Sequence, residues 1–207
     1  MNTIFVATGN AHKLEEIEAV FKPLGITVEG LNTLDWTPDE PVEDGETFEA
    51  NAQLKAIGYA QAIGRTCLAD DSGLEVDALD GAPGIFSARW SGVGGSREQR
   101  DAANNALLME RMKDISDEDR TARFVCAMCI ATPNGNILAE TRGNFEGMIA
   151  REPRGTHGFG YDPFMWLPQD GRTSAELSPD EKNARSHRGL ATRAMAKLLE
   201  DIDLGTP

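Results

Sequence analysis

Positive charge is scarce in this chain: 20 Lys and Arg stand against 34 Asp and Glu, a formal net charge of −14. That balance argues against nucleic acid as a partner, because binding a polyanion relies on a broad basic footprint. Cysteine is scarce too, with only Cys67, Cys126 and Cys129, so no disulfide framework is implied. Cys126 and Cys129 form a lone CxxC, but residues three apart in a strand point to opposite faces, and they read as buried thiols rather than zinc ligands. No apolar run approaches the ~20 residues a membrane crossing needs. Met1-Asn2-Thr3 carries no basic region and no small-residue cleavage site follows, so a signal peptide is not read there. The expectation is a cytoplasmic protein with no membrane partner. Repeats and low-complexity tracts are also missing. At 207 residues the chain is long enough for one compact domain and short for two, so 1–207 is read as a single domain.

What is present alternates strand and helix signals. Ile4 to Ala7 is a short apolar run, and Leu14, Ile17, Val20 and Phe21 follow at helical spacing. Ile26 to Leu31 reads as a second strand, Asn32 to Glu46 as an acidic loop, and Thr47 to Ile63 as a helix. Arg65 to Ala69 reads as a strand that ends at Asp70-Asp71-Ser72-Gly73. Gly81 to Gly95 is a glycine-rich loop that must pack, since it carries Ile85, Phe86 and Trp90. Glu98 to Met112 has helical spacing. Ala122 to Ala131 and Ile137 to Thr141 flank Pro133-Asn134-Gly135-Asn136, the strongest hairpin signal in the chain. Ser178-Pro179-Asp180-Glu181 is a capping box, and Leu190, Ala194, Leu198 and Ile202 predict the apolar face of a final helix. Crossovers together with a hairpin imply an α/β fold around a central mixed β-sheet flanked by helices.

Four segments carry chemistry. Thr8-Gly9-Asn10-Ala11-His12-Lys13 joins strand to helix, where unpaired N–H groups and the helix dipole favour anions; Asn10 doubles as an ordinary N-cap. It matches neither a Walker loop nor a GxGxxG turn. Asp70-Asp71-Ser72-Gly73 places two carboxylates at a strand end, where alternation lets one face a ligand while the other braces the turn. Taken with Glu43, Lys13 and Lys55, these acids and lysines suit a magnesium–polyphosphate site. Gly155 to Pro163 sets Phe159 and Tyr161 among glycines beside Asp162, a ring-lined pocket for an aromatic base. Lys182, Arg185, Ser186, His187 and Arg188 concentrate positive charge for phosphate or for a carbonyl-bearing base.

In order along the chain, Thr8-Gly9-Asn10 with Lys13, Phe48-x-x-Asn51 with Lys55, Ala69-Asp70-Asp71-Ser72-Gly73-Leu74, Gly81-Ala82-Pro83-Gly84-Ile85 with Ser87-Ala88-Arg89, Gly158-Phe159-Gly160-Tyr161-Asp162-Pro163 and Ser186-His187-Arg188-Gly189 closely resemble the inosine/xanthosine triphosphate pyrophosphatase family. Each motif is modest alone; six in order are specific. The resemblance implies an elongated α/β homodimer with one or more Mg2+ per subunit. It would hydrolyse ITP, dITP and XTP to the monophosphate and pyrophosphate, keeping such nucleotides out of nucleic acid. It further implies that Thr8, Gly9, Asn10, Ala11, His12 and Lys13 hold the triphosphate, and that Glu43 and Asp71 serve the metal. Asp71 would take the proton of the attacking water, and Lys55 would stabilise phosphate charge. Ser72 would touch substrate, Phe159, Gly160, Tyr161 and Asp162 would hold the base, and Lys182, His187 and Arg188 would complete nucleotide binding. Arg188, a permanent donor, is the candidate reader of the 6-oxo group. Glu43 is placed by its distance from Gly45 and Phe48, which leaves Glu40 and Asp44 as alternatives.

Overall fold

The structure is a computed structural model that describes residues 3–200 and residue 202. Met1 and Asn2, on which the signal-peptide reading partly rests, lie outside the described residues, as do residue 201 and residues 203–207.

Strand β1 (Thr3–Val6) pairs in parallel with β2 (Thr27–Gly30), Thr3 opposite Thr27, and with β3 (Cys67–Val76), Phe5 opposite Cys67. Parallel neighbours require crossovers. Helix α1 (Ala11–Phe21) leads from β1 to β2, and α2 (Phe48–Ile63) precedes β3. The Thr47 side chain caps α2 by accepting from the Ala50 N–H, and Gly64, at a left-handed φ of 72°, ends it. Helix α3 (Arg97–Met112) opens with a Ser96/Gln99 capping box.

Strands β4 (Thr121–Ala131) and β5 (Ile137–Ile149) are joined by the expected turn, closed by Thr132 N–H donating to Asn136 O at 2.9 Å. β6 (Met165–Leu167) runs antiparallel to β5, and β7 (Arg172–Thr173) antiparallel to β6. Among the described residues the sheet is mixed and seven-stranded, in the order β2-β1-β3-β4-β5-β6-β7. Helices α4 (Pro179–Arg185) and α5 (His187–Leu198) complete the α/β fold, α4 beginning at the predicted Ser178/Glu181 capping box.

The chain forms two compact units: Met1–Asp71 with Cys126–Gly143 and His187–Pro207, and Ser72–Val125 with Asn144–Ser186. In the first, Ile4, Val6, Ile17, Phe21, Leu68, Met128 and Met195 are buried together. In the second, Leu74, Leu108, Met112, Phe124, Tyr161 and Met165 are buried together. Each such side chain contributes roughly 1.5–3 kcal/mol on leaving water. The three cysteines are unbridged and buried, as their apolar runs imply.

Three expectations need correction. The strand read over Arg65 to Ala69 does not end at Asp70: β3 runs through Asp70-Asp71-Ser72-Gly73 to Val76. Gly73 is there for close approach rather than for a turn. A Cβ on it would collide with the Ser87 hydroxyl and lie 2.6 Å from Gly84 O. That same hydroxyl accepts from Leu74 N–H at 2.8 Å and donates to Gly84 O at 2.6 Å, pinning the glycine-rich loop to the strand. The strand read over Ile137 to Thr141 likewise continues, to Ile149. The apolar face of α5 is one position off: Leu190 and Leu198 are exposed, whereas Ala191, Met195 and Leu199 are buried. Leucines mark hydrophobic weight, but the small Ala191 sits where β5 crosses. A Cβ on Gly143 would collide with His187 O and stand 2.9 Å from Ala191 N.

Candidate active site

In the first unit, β1 ends into Thr8, whose Oγ1 accepts from Asn10 N–H at 3.2 Å. Asn10 caps α1, its Oδ1 accepting from the N–H groups of His12 at 3.1 Å and Lys13 at 3.4 Å. Gly9 and Ala11 are exposed, and His12 sits with Glu15 on the exposed side of the helix. Lys13 turns inward, and its Nζ meets Asp70 Oδ2 at 2.9 Å.

Strand alternation sends the next carboxylate elsewhere. Asp71 Oδ1 accepts from Lys55 Nζ at 2.9 Å and its Oδ2 from Asn51 Nδ2 at 3.4 Å. Lys55 also reaches Glu43 Oε2 at 3.1 Å. Of the loop acids, Glu43 is the one drawn in, while Glu40 and Asp44 are exposed. Asn51, one helical turn before Lys55 and 0% exposed, completes the grip, since its Oδ1 accepts from Gly45 N–H at 2.9 Å. Thus α2 presents an i,i+4 pair, Asn51 and Lys55, that holds both the acidic loop and Asp71.

Asp70 is not the turn brace expected of it. It is 3% exposed and lies among Lys13, the Arg188 guanidinium at 3.5 Å and the Cys126 thiol at 3.8 Å. Burial opposes ionisation of Asp70, but Lys13, Arg188 and Lys55 overcome it and hold the carboxyl well below its ordinary range. Asp71 goes the other way, because burial outweighs Lys55 and Lys13 and raises its pKa. For Lys55 burial alone would lower the pKa; Asp71, Asp70 and Glu43 reverse this and raise it.

Arg188, read from sequence as a base reader, is 1% exposed and ion-paired with Glu16 and Asp70. His187 beside it is also buried. The positive cluster read as one feature is therefore divided, with His187 and Arg188 in the first unit and Lys182 in the second.

In the second unit Asp162, 2% exposed, accepts from Phe159 N–H at 2.8 Å, Ser174 Oγ at 2.9 Å and Lys182 Nζ at 2.7 Å. It organises the loop around Phe159. Lys182 Nζ lies 5.1 Å from the Phe159 ring centroid and the Arg97 guanidinium 4.5 Å from it. Tyr161 donates its hydroxyl to Ser87 O at 2.9 Å, so its ring serves packing. Gly160 is held by Asp101 and Asn105 of α3, and Ser72 is half-buried in β3.

Sequence reading quoted Asn51 in a motif without giving it a role, and overlooked Glu16, Arg97, Asp101, Asn105 and Ser174. For Asn51 the signal was its spacing of four from Lys55; for Arg97, Asp101 and Asn105 it was one polar stripe at i, i+4, i+8. Glu16 and Ser174 meet their partners only through the fold.

Among the described residues no three His, Cys, Asp or Glu side chains form a metal cage. Glu43 and Asp71 nonetheless fit a magnesium ion, whose usual protein share is one or two carboxylates with waters and substrate phosphates completing the shell. Their convergence on the Lys55 ammonium shows that the pair already accommodates a cation.

A mixed α/β sheet that bears acids gripped by lysines suits a metal–polyphosphate ligand, and its relatives place the chain among hydrolases. The chain belongs to the Ham1 family, whose model matches residues 4–198. It is 50% identical over 196 residues to a dITP/XTP pyrophosphatase of Exiguobacterium sibiricum, covering 95% of this chain and 96% of that protein. It is 47% identical to a dITP/XTP pyrophosphatase of Mycolicibacterium paratuberculosis, covering 98% of each. Among solved structures, a HAM1 protein from Coxiella burnetii matches with a TM-score of 0.84 at 38% identity, over 98% of this chain and 100% of that one.

Proposed function

We propose that the protein hydrolyses non-canonical purine nucleoside triphosphates, namely ITP, dITP and XTP, to the monophosphate and pyrophosphate, with magnesium, as a cytoplasmic homodimer that cleanses the nucleotide pool. The observation that carries this reading is the convergence of Glu43 and Asp71 on Lys55, at 3.1 and 2.9 Å, in the unit that also holds the Thr8–Lys13 helix start. Relatives at 47–50% identity bear the name dITP/XTP pyrophosphatase. Because the family model runs through both compact units, we take 1–207 as one pyrophosphatase domain.

Cleavage between the α and β phosphates needs an in-line water, a base for its proton and cations for the charge that gathers on departing pyrophosphate. Asp71 is the base: its pKa is raised by burial, and Lys55 holds one of its oxygens in place. Lys13 and Lys55 are the cations, with Thr8 to His12 lining the phosphate end. Magnesium, when held by Glu43 and Asp71, supplies Lewis acidity toward phosphate oxygens and water. Phe159 to Asp162 form the base pocket, and Lys182 lends a donor beside the ring. Ser72, His187 and Arg188 complete the nucleotide contacts, Arg188 by turning from Glu16.

The test is a panel of nucleoside triphosphates with magnesium, with orthophosphate and pyrophosphate assayed separately. Pyrophosphate from ITP and XTP, with little from ATP or GTP, is the expected result. Orthophosphate as the product, or turnover confined to pyrimidines, overturns the reading.

A further inference from the structure

The polar stripe along α3 has no part in the chemistry above, yet three of its successive turns address one dipeptide of the base loop. Arg97 lies over the Phe159 ring at 4.5 Å from its centroid. Asp101 Oδ2 accepts from Gly160 N–H at 3.1 Å, and Asn105 Nδ2 donates to Gly160 O at 2.9 Å. Both backbone groups of one glycine are thereby held by one helix, a turn apart. Gly160 sits at a left-handed φ of 60°, so the loop needs an outside anchor for a residue with no side chain of its own. Arg97 Nε and Asp101 Oδ2 are 3.8 Å apart, which ties the stacking cation to the anchoring acid.

A second observation separates this from ordinary loop packing. Asn105 Oδ1 is buried and has no hydrogen-bond partner among the described residues. The side-chain amide thus carries the cost of an orphaned carbonyl and makes one hydrogen bond among the described residues, its donation to Gly160 O.

We infer that Asn105, with Asp101, is a positioning residue for base recognition: the two fix Gly160, and through it the plane of the Phe159 ring that walls the base pocket. This rests on the proposed role of Phe159 toward the base. Neither residue is among those proposed to hold phosphate, so their loss is expected to weaken the nucleoside half of a ligand and spare the pyrophosphate half.

Asn105→Ala and the isosteric Asn105→Asp, which lacks the donor, are compared with the wild-type chain by steady-state kinetics on ITP and by calorimetric titration with inosine monophosphate and with pyrophosphate. Loss of one bond implies that KM for ITP and Kd for inosine monophosphate rise about tenfold, with kcat within about twofold and pyrophosphate affinity unchanged. Asp101→Asn keeps an acceptor for Gly160 N–H and is expected to bind like wild type, whereas Asp101→Ala follows Asn105→Ala. Unchanged monophosphate affinity in either Asn105 variant overturns the inference, as does an equal loss of pyrophosphate affinity, which marks general damage. A wild-type chain that binds no inosine monophosphate overturns the reading of the base pocket itself, a result the variants cannot imitate.

Discussion

Asp70 and Asp71 are neighbours in the chain, yet each is held at 2.9 Å by a different lysine, Asp70 by Lys13 and Asp71 by Lys55. The two-residue period of β3 separates them, so each buried acid meets a different set of partners.

Exchanging each for asparagine distinguishes their roles. Asp71→Asn removes the proposed base while Glu43 still pairs with Lys55, and turnover is expected to fall by about a thousandfold or more with little loss of stability. Asp70→Asn takes the carboxylate from the half-buried Lys13 and leaves the buried Arg188 paired with Glu16, at a cost of about 3–5 kcal/mol. Urea unfolding and kcat of both purified variants check this; normal stability with no activity in Asp70→Asn assigns the roles the other way round.

Stability should also fall in acid through Asp70. Its folded pKa lies below the unfolded value, so its contribution is complete above the ordinary carboxylate pKa of about 4 and is lost as pH drops toward the folded value. Asp71 has the opposite sign, since a raised folded pKa weakens the folded state once the group ionises. The gap in melting temperature between wild type and Asp70→Asn is therefore expected to narrow below pH ~4. A gap constant from pH 7 to 3 contradicts the assignment.

Chelation is expected to abolish turnover and added magnesium to restore it. Glu43→Gln should raise the magnesium concentration needed for half-maximal rate by about 10–100-fold. Glu40→Gln and Asp44→Asn, whose parents are exposed, should leave it unchanged. A magnesium requirement shifted by Asp44→Asn instead moves the ligand one residue along the loop.

Gly158→Ala tests the base loop. The position has a φ of 78°, and a Cβ there runs into the Asp162 carboxylate and stands 3.1 Å from Lys182 Nζ. Left-handed strain of roughly 1–3 kcal/mol and disruption of the Asp162–Lys182 pair are expected to lower the melting temperature and raise KM for ITP. Wild-type values for both show that the loop tolerates a side chain.

Arg188→Ala breaks a buried pair with Glu16 and Asp70 and is expected to lower the melting temperature markedly. The ratio of kcat/KM on ITP to that on ATP decides its second duty. A preferential loss on ITP shows that the guanidinium reaches the 6-oxo group in the complex; an equal loss confines it to the ion network.

Local signals carried far in the sequence. Asn10 and Ser178 are caps because a short polar side chain satisfies nearby N–H groups within its own turn. Period-two alternation separates Asp70 from Asp71 whatever packs on either side. Tertiary structure alone decided the rest. Whether Gly73 is a turn or a strand residue depends on Ser87, thirteen positions beyond Leu74, approaching the strand. Which face of α5 is buried depends on Gly143 of β5 meeting it at Ala191, not on where its leucines lie. Asn105 acquires a role only when Gly160, 55 residues later, is brought to it. A periodic pattern records what a residue does within its own helix or strand; partners distant in the chain leave no such period, because their meeting is set by packing of whole elements.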